Sequence, residues 1–197
     1  MDIVGPACLS RSVRPHEHAM SVPAHLTAKM DGLSAESLLA DWRQLVPTTY
    51  TPVVMTALGD LFLRDEAGRI HFLDVMCGEL KQVAISQEEF DGLCESREQR
   101  QSWFVSHLVM ELRKLHGELP AGRCFSCKVP LSLGGQLDAD DFQPCDIQVH
   151  YSVLGQLHAQ TRHLPPGTKV DSITTESRDE DTTQKRSWWR RVFGSVA

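Results

Sequence analysis

No apolar run in this chain approaches the roughly 20 residues that a membrane-spanning helix needs. Residues 1–15 also lack the continuous apolar core of a secretory leader. Basic charge is in deficit, with 20 Lys and Arg against 26 Asp and Glu and a net charge of −6. That sign argues against a broad face for binding nucleic acid. Cysteine is sparse and irregularly spaced, at Cys8, Cys77, Cys94, Cys124, Cys127 and Cys145. Without an export signal these read as reduced thiols of a cytoplasmic protein, mostly buried as small hydrophobes. The nucleophile elbow G-x-S-x-G, the phosphate-cradling G-x-x-x-x-G-K and the zinc helix H-E-x-x-H are all missing.

What remains are weak constellations. Cys124-Phe-Ser-Cys127 is a lone CxxC in a strand-like stretch, where the two thiols would point to opposite faces. Asp138, Asp140, Asp141 and Asp146 lack the twelve-residue calcium-loop pattern with its bidentate Glu, so a solvated acidic loop is expected. His150 and His158 stand eight residues apart, about two turns if the segment is helical and too far to share one metal. His107 and His116, on a helix-like stretch, read as surface or capping residues. His16, His18 and His25 fall in the N-terminal segment. We therefore assign no catalytic residue, cofactor or metal, and expect no enzyme.

Charge and composition divide the chain. Arg11 and Arg14 balance Asp2 and Glu17 in residues 1–20, and residues 171–197 also balance. The acidic excess belongs to the middle. The ends have no apolar period and cannot bury enough surface to offset chain entropy. The expected organisation is a mobile N-terminal segment over 1–30, one α+β domain over 31–170, and a disordered linker with a basic, tryptophan-rich tail over 171–197. In that tail Trp188, Trp189, Val192 and Phe193 would share one helical face among Lys185, Arg186, Arg190 and Arg191. Such a face suits weak contact with an anionic membrane, or docking on a partner or on this protein's own domain; a passive tail is the remaining reading.

Within the domain, Ser34 caps a short amphipathic helix through Leu38, Leu39, Trp42, Leu45 and Val46, closed by Pro47. Residues 51–55 are strand-like. A three-stranded antiparallel meander follows over 61–84, turning at 65–68 and again at 77–79. Ser86 and Glu89 form a capping box that opens a helix to about Cys94. Ser96 opens a longer helix through Trp103, Phe104, Leu108, Leu112 and Leu115, ended by Gly117. Residues 124–129 form a strand and 131–143 a loop. The last apolar segment, 146–163, reads as a helix capped by Asp146 or as a strand. Trp42, Phe62, Phe72, Trp103, Phe104 and Leu108 are expected to share one core.

Several of these blocks, in order, resemble one family. The run Leu58-Gly-Asp-Leu-Phe-Leu-Arg-Asp-Glu-Ala-Gly-Arg-Ile-His-Phe-Leu-Asp74 is followed by Gly78-Glu-Leu, the stretch 86–90, and Trp103-Phe104. Then come Cys124-Phe-Ser-Cys-Lys-Val-Pro130, Leu133-Gly-Gly135, His150-Tyr-Ser-Val-Leu-Gly-Gln-Leu-His158 and Leu164-Pro-Pro-Gly167. Over residues 37–168 they are similar to the C-terminal domain of immunity proteins against DNase effectors of the type VI secretion system. A further small domain often precedes this one in that family, and here it is expected to be absent or reduced. The resemblance implies a stoichiometric inhibitor that binds a cognate toxin, with no catalytic residues to carry over. Its glycines Gly59, Gly68, Gly134 and Gly135 would be structural. An acidic inhibitor suits the basic surface of a nuclease. Candidate contacts are Asp138, Asp140 and Asp141, with Asp65 and Glu66 on the first hairpin turn second. A non-catalytic scaffold or regulatory protein of the same domain family, without a toxin partner, is the alternative.

Overall fold

The structure, a computed structural model, describes residues 22–165, 168 and 173–175. His16, His18, Cys8 and the basic stretch 185–193 lie outside the described residues. The fold is α+β, as the mixture of periods implies. A five-stranded antiparallel sheet has the order β1 (Thr27–Ala28), β2 (Thr51–Thr56), β3 (Leu61–Arg64), β4 (Ile70–Asp74) and β5 (Glu79–Ala84). The meander over 61–84 is thus present, extended by β2 and by a two-residue strand the apolar pattern did not reveal. Val22, Leu26 and Ala28 are buried beside it.

Strand alternation sends neighbouring side chains to opposite faces. Phe62, Ile70 and Val54 join one apolar cluster, while Leu61, Leu63, Leu73 and Met55 join another. The expectation of one shared core is corrected on this point. Trp42 lies in the second cluster, whereas Phe62, Phe72, Trp103, Phe104 and Leu108 lie in or against the first. Phe62 centres that first cluster, with ring centroids 4.7 Å from Phe90, 4.8 Å from Phe72 and 5.4 Å from Trp103.

The first cluster is covered by α2 (Gln87–Glu95), α3 (Arg97–Phe104) and α4 (Ser106–His116). Ser86 accepts the Glu89 amide as the capping box requires, while the Glu89 carboxylate takes the N–H of Ile85, one residue earlier than the usual pattern. The single long helix expected from Ser96 is instead two, broken at Val105 in the left-handed region (φ 43°). The break has a packing reason. Phe104 and Val109 would stand about 140° apart on a straight helix, yet both are fully buried in one cluster. Gln101 compensates at the junction, its Oε1 accepting from Ser106 Oγ and the His107 amide.

The second cluster is covered by α1 (Ala35–Leu38), a following 3-10 turn Ala40–Trp42, and α5 (Ile147–Thr161). The helix expected through Val46 therefore stops early, although Ser34 does cap it. A separate antiparallel pair joins β6 (Arg123–Cys127) to β7 (Phe142–Asp146). The expected loop over 131–143 thus ends two residues into a strand, which Pro144 disguised. Cys124 and Cys127 face different clusters, as the strand reading required. Among the described cysteines, Cys94, Cys124, Cys127 and Cys145 are buried and unbonded, and Cys77 is exposed. Segment 146–163 resolves as helix α5, capped by Asp146 at the Val149 amide.

Candidate functional site: an acidic surface and a buried polar seam

The predicted contact residues lie on two turns, the 3-10 turn before β7 and the hairpin turn between β3 and β4. Asp138 and Asp140 are exposed, on a short 3-10 turn (Ala139–Asp141) that Asp138 caps by accepting the Asp140 amide at 3.0 Å. Asp141 is half-buried. Lys128 holds this turn, donating its amide to the Asp141 carbonyl and its Nζ to the Asp140 carbonyl. The lysine bonds backbone oxygens there rather than the carboxylates, and Asp138 and Asp140 stay exposed.

The hairpin turn behaves differently. Glu66 is exposed, but Asp65 is only 8% exposed. Its Oδ1 accepts the amides of Ala67 and Arg69, and its Oδ2 meets Arg69 Nε at 2.7 Å and His71 Nε2 at 3.0 Å. Burial alone would raise this carboxyl, but the hydrogen bonds from His71 and Arg69 prevail and hold it down at about 2. Asp65 is committed to its own hairpin, which leaves Glu66 as the carboxylate this turn offers outward. Among the described residues, no group of three or more His, Cys, Asp or Glu is placed to hold a metal ion.

A second polar grouping, which sequence reasoning missed, lies under α5. His150 is buried, with Nδ1 2.9 Å from Ser126 Oγ on β6. Its Nε2 has no hydrogen-bond partner and faces Gly59, where an added Cβ would sit 2.5 Å from it. Burial pushes His150 down to about 4, so the ring is neutral at physiological pH. The tautomer with Nδ1–H donating to Ser126 fits best, since it leaves only a lone pair unmatched against the glycine rather than an orphan N–H.

One residue later, the Tyr151 hydroxyl donates to the Gly59 carbonyl at 2.7 Å, and Trp42 Nε1 donates to the Tyr151 carbonyl at 3.0 Å. Two turns along, His158 Nε2 donates to the Val75 carbonyl at 3.1 Å, its ring lying over Gly78. Burial lowers His158 against the opposing pull of that carbonyl and of Asp74. Between these anchors lies Asp60, with Oδ1 accepting the Val75 amide at 3.1 Å and its own amide donating to Thr56 Oγ1 at 3.0 Å. Burial, reinforced by the nearby Asp74 carboxylate, pushes Asp60 up to about 8. The seam is therefore neutral, and its geometry pins α5 to the turns after β2 and β4. The eight-residue spacing of His150 and His158 was a usable signal. It places both rings on one face of a helix, opposite two turn glycines, as a packing device rather than a ligand set.

No curated protein matches this chain. Among solved structures, the crystal structure of Atu4351 from Agrobacterium tumefaciens is similar, with 19% identity and a TM-score of 0.44. The likeness covers 61% of this chain and 62% of that one, so the chain spans about three fifths of that structure's length. The stretch from the end of β5 to His158 on α5 holds α2–α5, the acidic turn and both seam histidines. Residues 84–158 match the family model described as T6SS immunity protein Tdi1, C-terminal.

Proposed function

We propose that this chain is a cytoplasmic immunity protein that neutralises a cognate type VI nuclease toxin by forming a stoichiometric complex, without catalysis. The observation that carries the reading is the family match over residues 84–158. The charge supports it, since a nuclease presents basic groups to phosphates and an inhibitor of net charge −6 has the sign to meet them. Asp138, Asp140 and Asp141 supply the contacts in this reading, with Glu66 second and Asp65 acting through the hairpin that presents it. No helix among the described residues is long and apolar enough to cross a membrane.

The test is co-expression with the effector encoded by the adjoining gene. Cells should survive, and the purified pair should elute together. Association should slow as salt rises, because exposed charges are screened within about 8–10 Å at physiological ionic strength. Unrelieved toxicity, with no co-elution at low salt, would defeat the proposal.

A further inference from the structure

The five-stranded sheet has unequal edges. On one side β1 contributes only two residues, entered from the 3-10 turn Ala24–Leu26. On the other, β5 runs for six residues and pairs with β4 alone among the described residues. Its outward row of amides and carbonyls has the form of a template for another strand. Of the usual guards the edge has one, a bulge where Val83 falls between the pairs His71–Gln82 and Ile70–Ala84. No proline interrupts residues 79–85. The one lysine, Lys81, is ion-paired with Glu79 on the same face, so the edge carries no free positive guard. Ile85, directly after the strand, is the most exposed large hydrophobic residue among those described, at 69%.

We propose that the effector docks on this edge by adding an extended, basic segment beside β5. This rests on the immunity reading above. The chemistry of the occupant follows from the edge. Val83 packs against the first cluster and Leu80 against the second, both incompletely covered. An incoming strand that alternates apolar residues on its two faces completes both. Residues 79–91, which run from β5 into the first turns of α2, carry Glu79, Glu88, Glu89 and Asp91 against Lys81 alone, a charge of −3. Lysine or arginine on the added strand matches that sign. Ile85 provides an apolar anchor at the end of the ladder. Main-chain bonds supply the affinity in this mode, and side chains the selectivity.

Two measurements on the full chain test it. Hydrogen exchange is followed for wild-type protein, free and bound to the effector of the adjoining gene. The outward-facing amides of residues 80–84 are expected to slow by about tenfold or more on binding, as paired ladder amides do. Lys81→Pro and Gln82→Pro are then compared, with Lys81→Ala as the charge control. Adjacent amides on an antiparallel strand alternate between ladder and outside, so one proline spares the fold. That variant should keep its melting temperature and bind at least about tenfold more weakly. If a complex forms while the amides of 80–84 exchange unchanged, the edge proposal is overturned and the immunity reading stands. If wild-type protein forms no complex at all, the immunity reading falls and takes the edge with it.

Discussion

Gly59 has no room for a side chain. Its φ is +95°, and an added Cβ would lie 2.5 Å from His150 Nε2 and 3.4 Å from Cys124 Sγ of the second cluster. Gly68 shares the positive φ, at +82°, but has nothing within 4 Å. The two positions separate backbone strain from steric exclusion. Gly68→Ala should cost about 1 kcal/mol, the left-handed penalty alone. Gly59→Ala should cost at least about 3 kcal/mol, because His150 must move out of a site that fixes Ser126 and α5. Urea denaturation of both variants gives the comparison, and equal losses would show that the His150 contact is soft.

Asp60 and His150 also set opposite pH dependences. A carboxyl raised from 3.8 to about 8 keeps its proton in the folded state, while the unfolded chain releases it, so stability falls as pH rises through that interval. A histidine lowered from 6.5 to about 4 stays neutral when folded, so stability falls as pH drops from 6.5 to 4. His158 acts in the same sense as His150. Below pH 6.5 the effects oppose each other. Between 6.5 and 8 Asp60 acts without them, and stability should decline with pH by up to about 2 kcal/mol. Asp60→Asn should flatten that decline, and an equally steep curve in the variant would assign it to another group.

At the scale of elements, what could be read from sequence was what local chemistry states outright. Ser86 with Glu89, Asp146 before α5, and the Asp65–Gly68 turn announce themselves because the residues that act are adjacent. The α3–α4 break does not, since valine is a poor marker of left-handed backbone and the helical period runs through it. Its cause lies in Phe104 and Val109 sharing a distant cluster. Helix α5 was ambiguous for a related reason. It is buried on nearly every side, with Ile147, Tyr151, Val153, Leu154 and Leu157 all inside, and such a helix shows no polar face to mark its period. The division of the core by the sheet also changes the expected mutational order. Phe62 is fully buried among four aromatic rings, while Trp103 is only half-buried. Phe62→Ala should cost about 3–5 kcal/mol and Trp103→Ala clearly less, read from the shift in denaturation midpoint. The reverse order would mean that Trp103, not Phe62, centres the first cluster.

For the whole molecule, the polar groups fall into two kinds with different work. Asp60, Ser126, His150, Tyr151 and His158 are inside and hold α5 against the sheet. Asp138, Asp140 and Glu66 are outside and available to a partner. Sequence reasoning found the outer carboxylates through their charge, but it also included Asp65, whose commitment to Arg69 and His71 is visible only once the hairpin closes. It missed the seam because Ser126, His150 and Gly59 come from three separated segments. The outer groups make the account a claim about association in fixed proportion. The most direct measurement is titration of the purified effector's nuclease activity with this protein, alongside the mass of the complex in solution. The account predicts activity falling linearly to zero at a fixed molar ratio, with one complex of matching composition. Undiminished activity at excess protein, or inactivation by far less than an equivalent, would contradict it.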